Sequence, residues 1–504
     1  MSQRRIYSPT APIDVAAIRA ELGVPAGFPA EVIAAADAAV EAGPSLAPDR
    51  PDRTDRTDLP LITLDPTGSM DLDQAVHLET GPHGVGFVVH YAIADVAAWV
   101  TPGGPIDEES WVRGQTLYSP DLSTPLHPRE LSEGAASLLP DERRPAVLWT
   151  MTLDGAGEVT AVGLERAWVS SVARLDYRGT QEDVIAGTLH PSIALLPAVG
   201  RLRQGLARRR HAITLDLPDV EVVRTGGPDG PFGWNLELRA LTDVEEWNAE
   251  ISLLTGMCAA DLMLAGGVGI LRTLPEPSHA QIEDLRRATA ALRIPWPVGV
   301  APGDVIAGLD PSDPIHAAFL EYAARLLRGA NYHPFDPESP THPTPERTVH
   351  AGIGAPYAHV TAPLRRLVDR FGTEICLALH AGTAVPDWAR SRLDELPGVM
   401  GASAQRASAL EKACIGAVGT FLLTGREGEV FAATVLQVDR EKDRARLVLA
   451  DPPVRATCAA DGVTEGDQVR VELVSTDPST HTYVVRPVTG AADRPGGRRA
   501  AVAG

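Results

Sequence analysis

Three aspartates, Asp65, Asp71 and Asp73, crowd one short stretch, Asp65-Pro66-Thr67-Gly68-Ser69-Met70-Asp71-Leu72-Asp73-Gln74. Carboxylates this close repel one another strongly unless a proton or cation neutralises them, and hard divalent cations take oxygen ligands. Residues two apart on an extended chain share a face, so Asp71 and Asp73 lie side by side with Leu72 on the opposite face. Pro66 and Gly68 give the intervening segment turn character, which lets Asp65 fold back to join them. The chemistry this predicts is a divalent-cation site serving a phosphate. On spacing alone, the plainer alternative is a solvated acidic turn.

The elements that must position these acids follow from the patterning. The cluster comes directly after an apolar strand-like run at 61–64, and further strands are predicted at 74–78, 86–93 and 146–153, joined by Gly- and Pro-rich turns. Helical periodicity then covers 192–210, 242–265, 278–292, 315–327, 362–381 and 401–423. A strand-rich half packed with a helix-rich half predicts an α+β unit rather than a doubly wound sheet. Residues 1–58 read as Ala-rich amphipathic helices at 13–22 and 30–42 and then a linker, in which Asp-Arg-Thr-Asp occurs at 52–55 and again at 55–58. Beyond 424 the pattern changes to alternating strands at 430–438, 444–449, 468–474 and 482–485, the signature of a small OB-type barrel. The predicted organisation is therefore 1–58, 59–424, 425–490, and a fraying tail at 491–504 rich in Gly, Arg and Ala.

Composition narrows the function. The formal charge of −21 opposes indiscriminate binding to nucleic acid but leaves room for a local basic channel. Lys412 and Lys442 are the only lysines, so positive charge is carried almost entirely by arginine. The four cysteines form no CxxC pair, which indicates neither a disulfide framework nor a zinc site. With no run of about 20 apolar residues and no secretory-type N-terminus, the expectation is a cytoplasmic monomer with no membrane partner.

Five further segments follow the acids in a fixed order. They are His90-Tyr91-Ala92-Ile93-Ala94-Asp95-Val96, Leu117-Tyr118-Ser119-Pro120-Asp121, Pro125-Leu126-His127-Pro128-Arg129-Glu130-Leu131-Ser132, Val244-Glu245-Glu246-Trp247-Asn248-Ala249-Glu250, and Tyr357-Ala358-His359-Val360-Thr361-Ala362-Pro363-Leu364-Arg365-Arg366. In this order the chain resembles the ribonuclease II (RNB) family of processive 3′-to-5′ exoribonucleases over residues 59–424, with an OB-type RNA-binding domain after it. The resemblance implies Mg²⁺-dependent hydrolysis of single-stranded RNA to nucleoside 5′-monophosphates, with Mn²⁺ as an alternative metal.

Residue by residue, Asp65, Asp71 and Asp73 match three of the family's four catalytic aspartates, which hold the metal. Gln74 stands at the fourth position, where an amide oxygen can ligate but adds no charge. Arg365 matches an arginine that stabilises charge on the pentacoordinate phosphate. In isolation it would read as a helix-start arginine with an i+4 partner, Asp369. Arg366 is expected at the surface or tracking phosphates, and His359 is grouped with it in RNA binding. Tyr118 and Tyr177 match aromatics that contact the RNA, where stacking contributes on the order of 1–3 kcal/mol per base; the alternative for each is a core tyrosine. Glu250 aligns with a glutamate that orients the terminal nucleotide, its alternative being a helix-face carboxylate. The arginines at 201, 203 and 208–210 read as a solvated basic face complementing a helix C-terminus, or as a guide for RNA.

The chain departs from the family pattern at Gln74 and in a leading segment too short for two cold-shock barrels, which predicts a short form of lower processivity. It departs again in the helix after Glu250, which reads Ile251-Ser252-Leu253-Leu254-Thr255-Gly256, and at 220–222, which offer no stacking aromatic. Two other functions fit the sequence: an RNA-binding protein with weakened or lost nuclease activity, and a metal-dependent phosphodiesterase for another substrate.

Overall fold

The strand Arg143–Leu153 shows how the sequence builds the centre of the molecule. In the computed structural model, which describes residues 13–45, 53–215, 219–225, 233–339 and 342–488, its side chains alternate between two cores. Val147, Trp149, Met151 and Leu153 enter one, and Ala146 and Leu148 enter the other. Phe87–Ala94 repeats the pattern, with Val89, Tyr91 and Ile93 on the first side and Ala92 and Ala94 on the second.

These strands belong to a six-stranded sheet in the order Thr54–Asp55, Val159–Asp176, Leu61–Asp65, Gln74–Thr80, Phe87–Ala94, Arg143–Leu153. The 18-residue strand Val159–Asp176 closes it into a ring. Its first part runs antiparallel to Arg143–Leu153, and its last part runs parallel to Leu61–Asp65. That change of partner explains why this strand has no single alternating pattern in the sequence.

Helices Asp243–Gly266 and Leu367–Ala381 pack on the first core through Ile251, Leu254, Ala260, Met263, Phe371 and Ile375. The former opens on a capping box between Thr242 and Glu245. Among the described residues it is the one helix long and apolar enough to cross a membrane by length and composition, and here that apolar content is spent on core packing. The helix predicted over 362–381 begins only at Leu367. Pro363 disfavours a helical residue before it, and the Asp369 carboxylate accepts the Ala362 N–H at 2.7 Å, holding 361–366 as a loop.

The 28-residue helix Leu396–Leu423 leads to a five-stranded antiparallel sheet, ordered Arg455–Cys458, Arg444–Leu449, Val430–Asp439, Gln468–Asp477, Thr482–Pro487. The Tyr483 hydroxyl donates to the Arg455 carbonyl, drawing the two outermost strands together. The whole is the α+β architecture with a C-terminal OB-type barrel. Its strand Arg455–Cys458, the hairpin Asp219–Thr225/Gly233–Arg239 and the pair Gly269–Thr273/Asn331–Phe335 were not among the strands the pattern predicts. The leading helices are Val15–Glu21 and Ala30–Ala42, whereas residues 46–52 of the expected linker and the tail at 491–504 lie outside the described residues.

A buried ion network ties these parts together. Asp95, only 2% exposed, accepts from Arg53 at 2.7 Å and from Arg166 at 2.6 Å, and Arg166 also pairs with Glu374 on helix Leu367–Ala381. Removing one member leaves buried charge unpaired, so Asp95→Ala is expected to cost about 3–5 kcal/mol. A urea unfolding curve should show a midpoint lowered accordingly, whereas an unchanged midpoint would mean the network contributes nothing.

Candidate active site

Strand pairing sets the acids in place. Asp65 is the last residue of Leu61–Asp65 and Asp73 immediately precedes Gln74–Thr80, and these neighbouring antiparallel strands bring both to one end of the sheet. The loop between them is pinned from below. Leu72 is fully buried, its N–H donates to Ser137 Oγ at 3.0 Å, and Ser137 Oγ in turn donates to the Met70 carbonyl at 2.6 Å. Burying Leu72 turns Asp71 and Asp73 the other way, as their spacing predicts.

Arg365 meets them from the loop 361–366. Asp73 Oδ1 accepts the Leu364 N–H at 2.7 Å, and its Oδ2 lies 3.2 Å from Arg365 Nε. Gln74 extends its amide nitrogen to the Thr361 carbonyl. The loop is clamped from its other side, where Thr116 N–H donates to the Arg365 carbonyl at 2.9 Å and Leu367 N–H to the Gly114 carbonyl at 3.0 Å.

This geometry corrects the expected partner of Asp369 and the expected place of Arg366, and it bears on the expected metal ligands. Asp369 partners Arg366, not Arg365, in a bidentate pair at 2.8 and 2.7 Å. Arg366 is therefore no free surface cation: it is mostly buried and braces the loop, while still lining a cavity of about 460 Å³ with Arg365, Tyr118 and Glu411. Gln74, expected as a metal ligand, serves as a tether between strand and loop through its amide nitrogen, with its oxygen left over. Nor do the three aspartates form a ready-made cage. Among the described residues no group of three or more His, Cys, Asp or Glu side chains is arranged to hold a metal ion, and both Asp73 oxygens are engaged with Leu364 and Arg365.

The electrostatics match the crowding. Burial pushes the Asp73 carboxyl up to about 8, eased by Arg365 and the Leu364 amide and raised further by Asp71. Burial likewise raises Asp65 to about 6, with Arg365 opposing and Asp71 reinforcing. Asp65 Oδ2 is buried with no hydrogen-bond partner. A buried, unpartnered carboxylate oxygen beside another acid is the donor chemistry a hard cation takes, so Asp65 and Asp71 fit such an ion, with Asp73 adjoining.

The remaining expected residues divide between two sides of this centre. Tyr118 is 55% exposed, and its hydroxyl approaches Asp71 Oδ2 at 3.4 Å. Tyr177, which opens helix Tyr177–Ala186, accepts from Asn248 at 3.2 Å. Glu250 turns away from the aspartates into a cavity of about 530 Å³, shared with Arg210, Arg272, His350, Tyr357 and His359. Its Oε2 is buried without a partner, and burial raises its carboxyl against the opposing pull of Arg203 and Arg210. His359 accepts or donates at 2.7 Å to the Tyr332 hydroxyl, and burial with Arg366 and Arg272 nearby holds it well below the usual imidazole range, hence neutral.

Several contributors escaped the sequence reading. Arg210 belonged to a basic run read as a face or a guide; the structure places it at this cavity. Gly256 falls in the stretch that departs from the family pattern, and a Cβ there would stand 2.1 Å from the Tyr357 ring, so glycine is what lets the 357–359 segment lie against the helix. Arg272 and His350 sit in segments with no pattern to mark them.

Fold and site together define an α+β protein with an acid–arginine centre at strand ends and a C-terminal OB-type barrel. The model described as "RNB domain" matches residues 53–374, and that described as "RNase II-type exonuclease C-terminal S1 domain" matches 429–488. The chain belongs to the RNB family. Among curated proteins it is 29% identical to ribonuclease R of Escherichia coli over 62% of this chain and 38% of that protein, and 28% identical to exoribonuclease 2 of Enterobacter over 77% and 60%. It is also 29% identical to the exosome complex exonuclease RRP44 homolog A of Arabidopsis thaliana, over 62% of this chain and 34% of that one. The chain thus spans between about a third and three fifths of these relatives. Apo Mycoplasma genitalium RNase R shares the fold at a TM-score of 0.80 and 20% identity, covering 94% of this chain and 78% of that one. Yeast Ssd1, described as a pseudonuclease, shares it at 0.63 and 17%, covering 87% and 53%.

Proposed function

We propose that this protein is a divalent-metal-dependent 3′-to-5′ exoribonuclease that shortens single-stranded RNA to nucleoside 5′-monophosphates. The observation that carries this is Arg365 set 3.2 Å from Asp73, beside an Asp65 oxygen with no partner, at the strand ends of an RNB fold. Asp65 and Asp71, with Asp73, would hold Mg²⁺ or Mn²⁺, which when bound polarises a phosphate and makes water a stronger nucleophile.

The chain's own residues do the rest. Arg365 faces the phosphate with a permanent charge, so it can meet developing negative charge without moving a proton. The Leu364 amide and Arg365 orient Asp73, and Gln74 fixes the loop that carries them. Tyr118 offers an exposed ring to a base, a contact indifferent to sequence. Glu250, with an unsatisfied buried oxygen, accepts hydroxyl donors such as a ribose presents, which favours RNA over DNA. All four cysteines are free and buried, which supports a reducing compartment such as the cytoplasm.

One observation favours a second reading, an RNA-binding protein of weak nuclease activity: the amide of Gln74 brings no charge to the centre and donates to the Thr361 carbonyl of the loop. Incubating 5′-labelled single-stranded RNA, single-stranded DNA and duplex RNA with Mg²⁺, Mn²⁺ or EDTA separates the readings. Metal-dependent shortening of the single-stranded RNA from its 3′ end is expected. Binding without shortening would establish the second reading.

A further inference from the structure

Tyr118 presents its ring from a very small platform. Leu117–Tyr118 pairs with Ser123–Thr124 as a hairpin of two residues per strand, too short to hold its own shape. More than half of Tyr118 is exposed and its hydroxyl makes only a long 3.4 Å approach to Asp71, so the hairpin is what chiefly sets where the ring stands. Within the tip, Ser119 N–H donates to the Leu122 carbonyl at 3.0 Å and Ser119 Oγ to Asp121 at 2.8 Å. Arg129 braces the second strand, donating to the Ser123 carbonyl at 2.9 Å.

The tip itself is gripped from outside the catalytic unit. Arg19, on helix Val15–Glu21, donates to Ser119 Oγ at 2.8 Å and to Asp121 Oδ1 at 2.5 Å, with its own side chain only 14% exposed. The helix cannot drift, because Val15 and Ile18 share a core with Leu117 at the hairpin base and with Leu410 and Cys414 of helix Leu396–Leu423. That long helix carries Glu411, which lines the cavity of about 460 Å³ beside Tyr118, Arg365 and Arg366. One short leading helix therefore joins the tip of the Tyr118 hairpin, its base and the long helix that walls the cavity.

We infer that Arg19 is a positioning residue for RNA: with Ser119 and Asp121 it latches the hairpin so that Tyr118 stands pre-formed against the incoming strand. Holding the ring before binding removes an ordering cost that the RNA would otherwise meet. The latch acts on grip rather than on bond breaking, since Arg19 touches neither the aspartates nor Arg365. The inference rests on the exoribonuclease reading for its kinetic readout and on RNA binding alone for its second.

The test is a double-mutant cycle between Arg19→Ala and Tyr118→Ala on the full chain, read by kinetics and by RNA binding in EDTA. Arg19→Ala alone should raise KM and Kd for a short single-stranded RNA about fivefold, equivalent to ~1 kcal/mol, with kcat within about twofold of wild type. Digestion should also stop at longer end products. In the Tyr118→Ala background the same change should have almost no further effect. Arg19→Lys should recover part of the loss, and the exchange Arg19→Asp with Asp121→Arg should recover more than Arg19→Asp alone. Circular dichroism melts keep unfolding apart from these effects. Equal increments in both backgrounds, or an unchanged Kd in Arg19→Ala, would overturn the latch. Tight RNA binding with no hydrolysis by wild type would instead overturn the exoribonuclease reading and leave the binding cycle to decide the latch.

Discussion

Asp73→Asn is expected to abolish RNA hydrolysis while making the metal-free protein more stable at alkaline pH. The loss of activity follows from the position of the side chain: it orients Arg365 and adjoins Asp65 and Asp71, so a fall in kcat of at least about 10³-fold is expected, with RNA binding retained. The gain in stability follows from its burial. The folded chain pushes this carboxyl up to about 8, whereas the unfolded chain releases its proton near the ordinary value of about 4. The group's contribution to stability is therefore complete below the unfolded value and is lost as pH rises through about 8. Above that, wild type carries a buried charge that asparagine lacks. In EDTA, the melting temperature of the variant relative to wild type should rise between pH 5 and pH 9, and added Mg²⁺ should raise wild type more than the variant, which keeps Asp65 and Asp71. A gap independent of pH would mean that Asp73 is not the strained carboxylate described here.

Arg365→Ala should lower kcat on the order of 10²–10³-fold, as loss of a donor to transition-state charge does elsewhere, with a much smaller change in KM. Arg365→Lys should rescue little, since an ammonium cannot reproduce the planar contact of Nε with Asp73 while also facing a phosphate. The two variants differ in a second measurement. Removing the guanidinium takes away the main influence that eases Asp73, so the acid limb of the rate profile should move to higher pH in Arg365→Ala. Single-turnover kinetics across pH read both effects. An Arg365→Ala variant with full kcat would remove the arginine from the chemistry and leave it a structural partner of Asp73.

Much of this site was legible because its chemistry is local. Asp71, Leu72 and Asp73 carry their two-residue period openly, and burial of Leu72 is what turns both acids to the opposite side of the chain. The strand-rich half, the helix-rich half and the final barrel were likewise visible as changes of period. What stayed hidden depends on partners far along the chain. Sequence proximity suggested Asp369 for Arg365, but Pro363 delays the helix and delivers Asp369 to Arg366, freeing Arg365 for an acid nearly three hundred positions earlier. Strand Val159–Asp176 changes partner midway, so no single alternation marks it. Gly256 shows its purpose only once the Tyr357 ring is laid across it.

Three aspartates and Arg365 are proposed to suffice for metal-dependent hydrolysis with an amide at position 74. The most direct test of this claim follows 5′-labelled single-stranded RNA across a titration of Mg²⁺ and Mn²⁺, with Gln74→Asp alongside. Wild type is expected to shorten the RNA from its 3′ end at saturating metal. Gln74→Asp should lower the metal concentration giving half the maximal rate, because a carboxylate there adds a charged oxygen ligand. No shortening by wild type at any metal concentration, with RNA still bound, would contradict the claim.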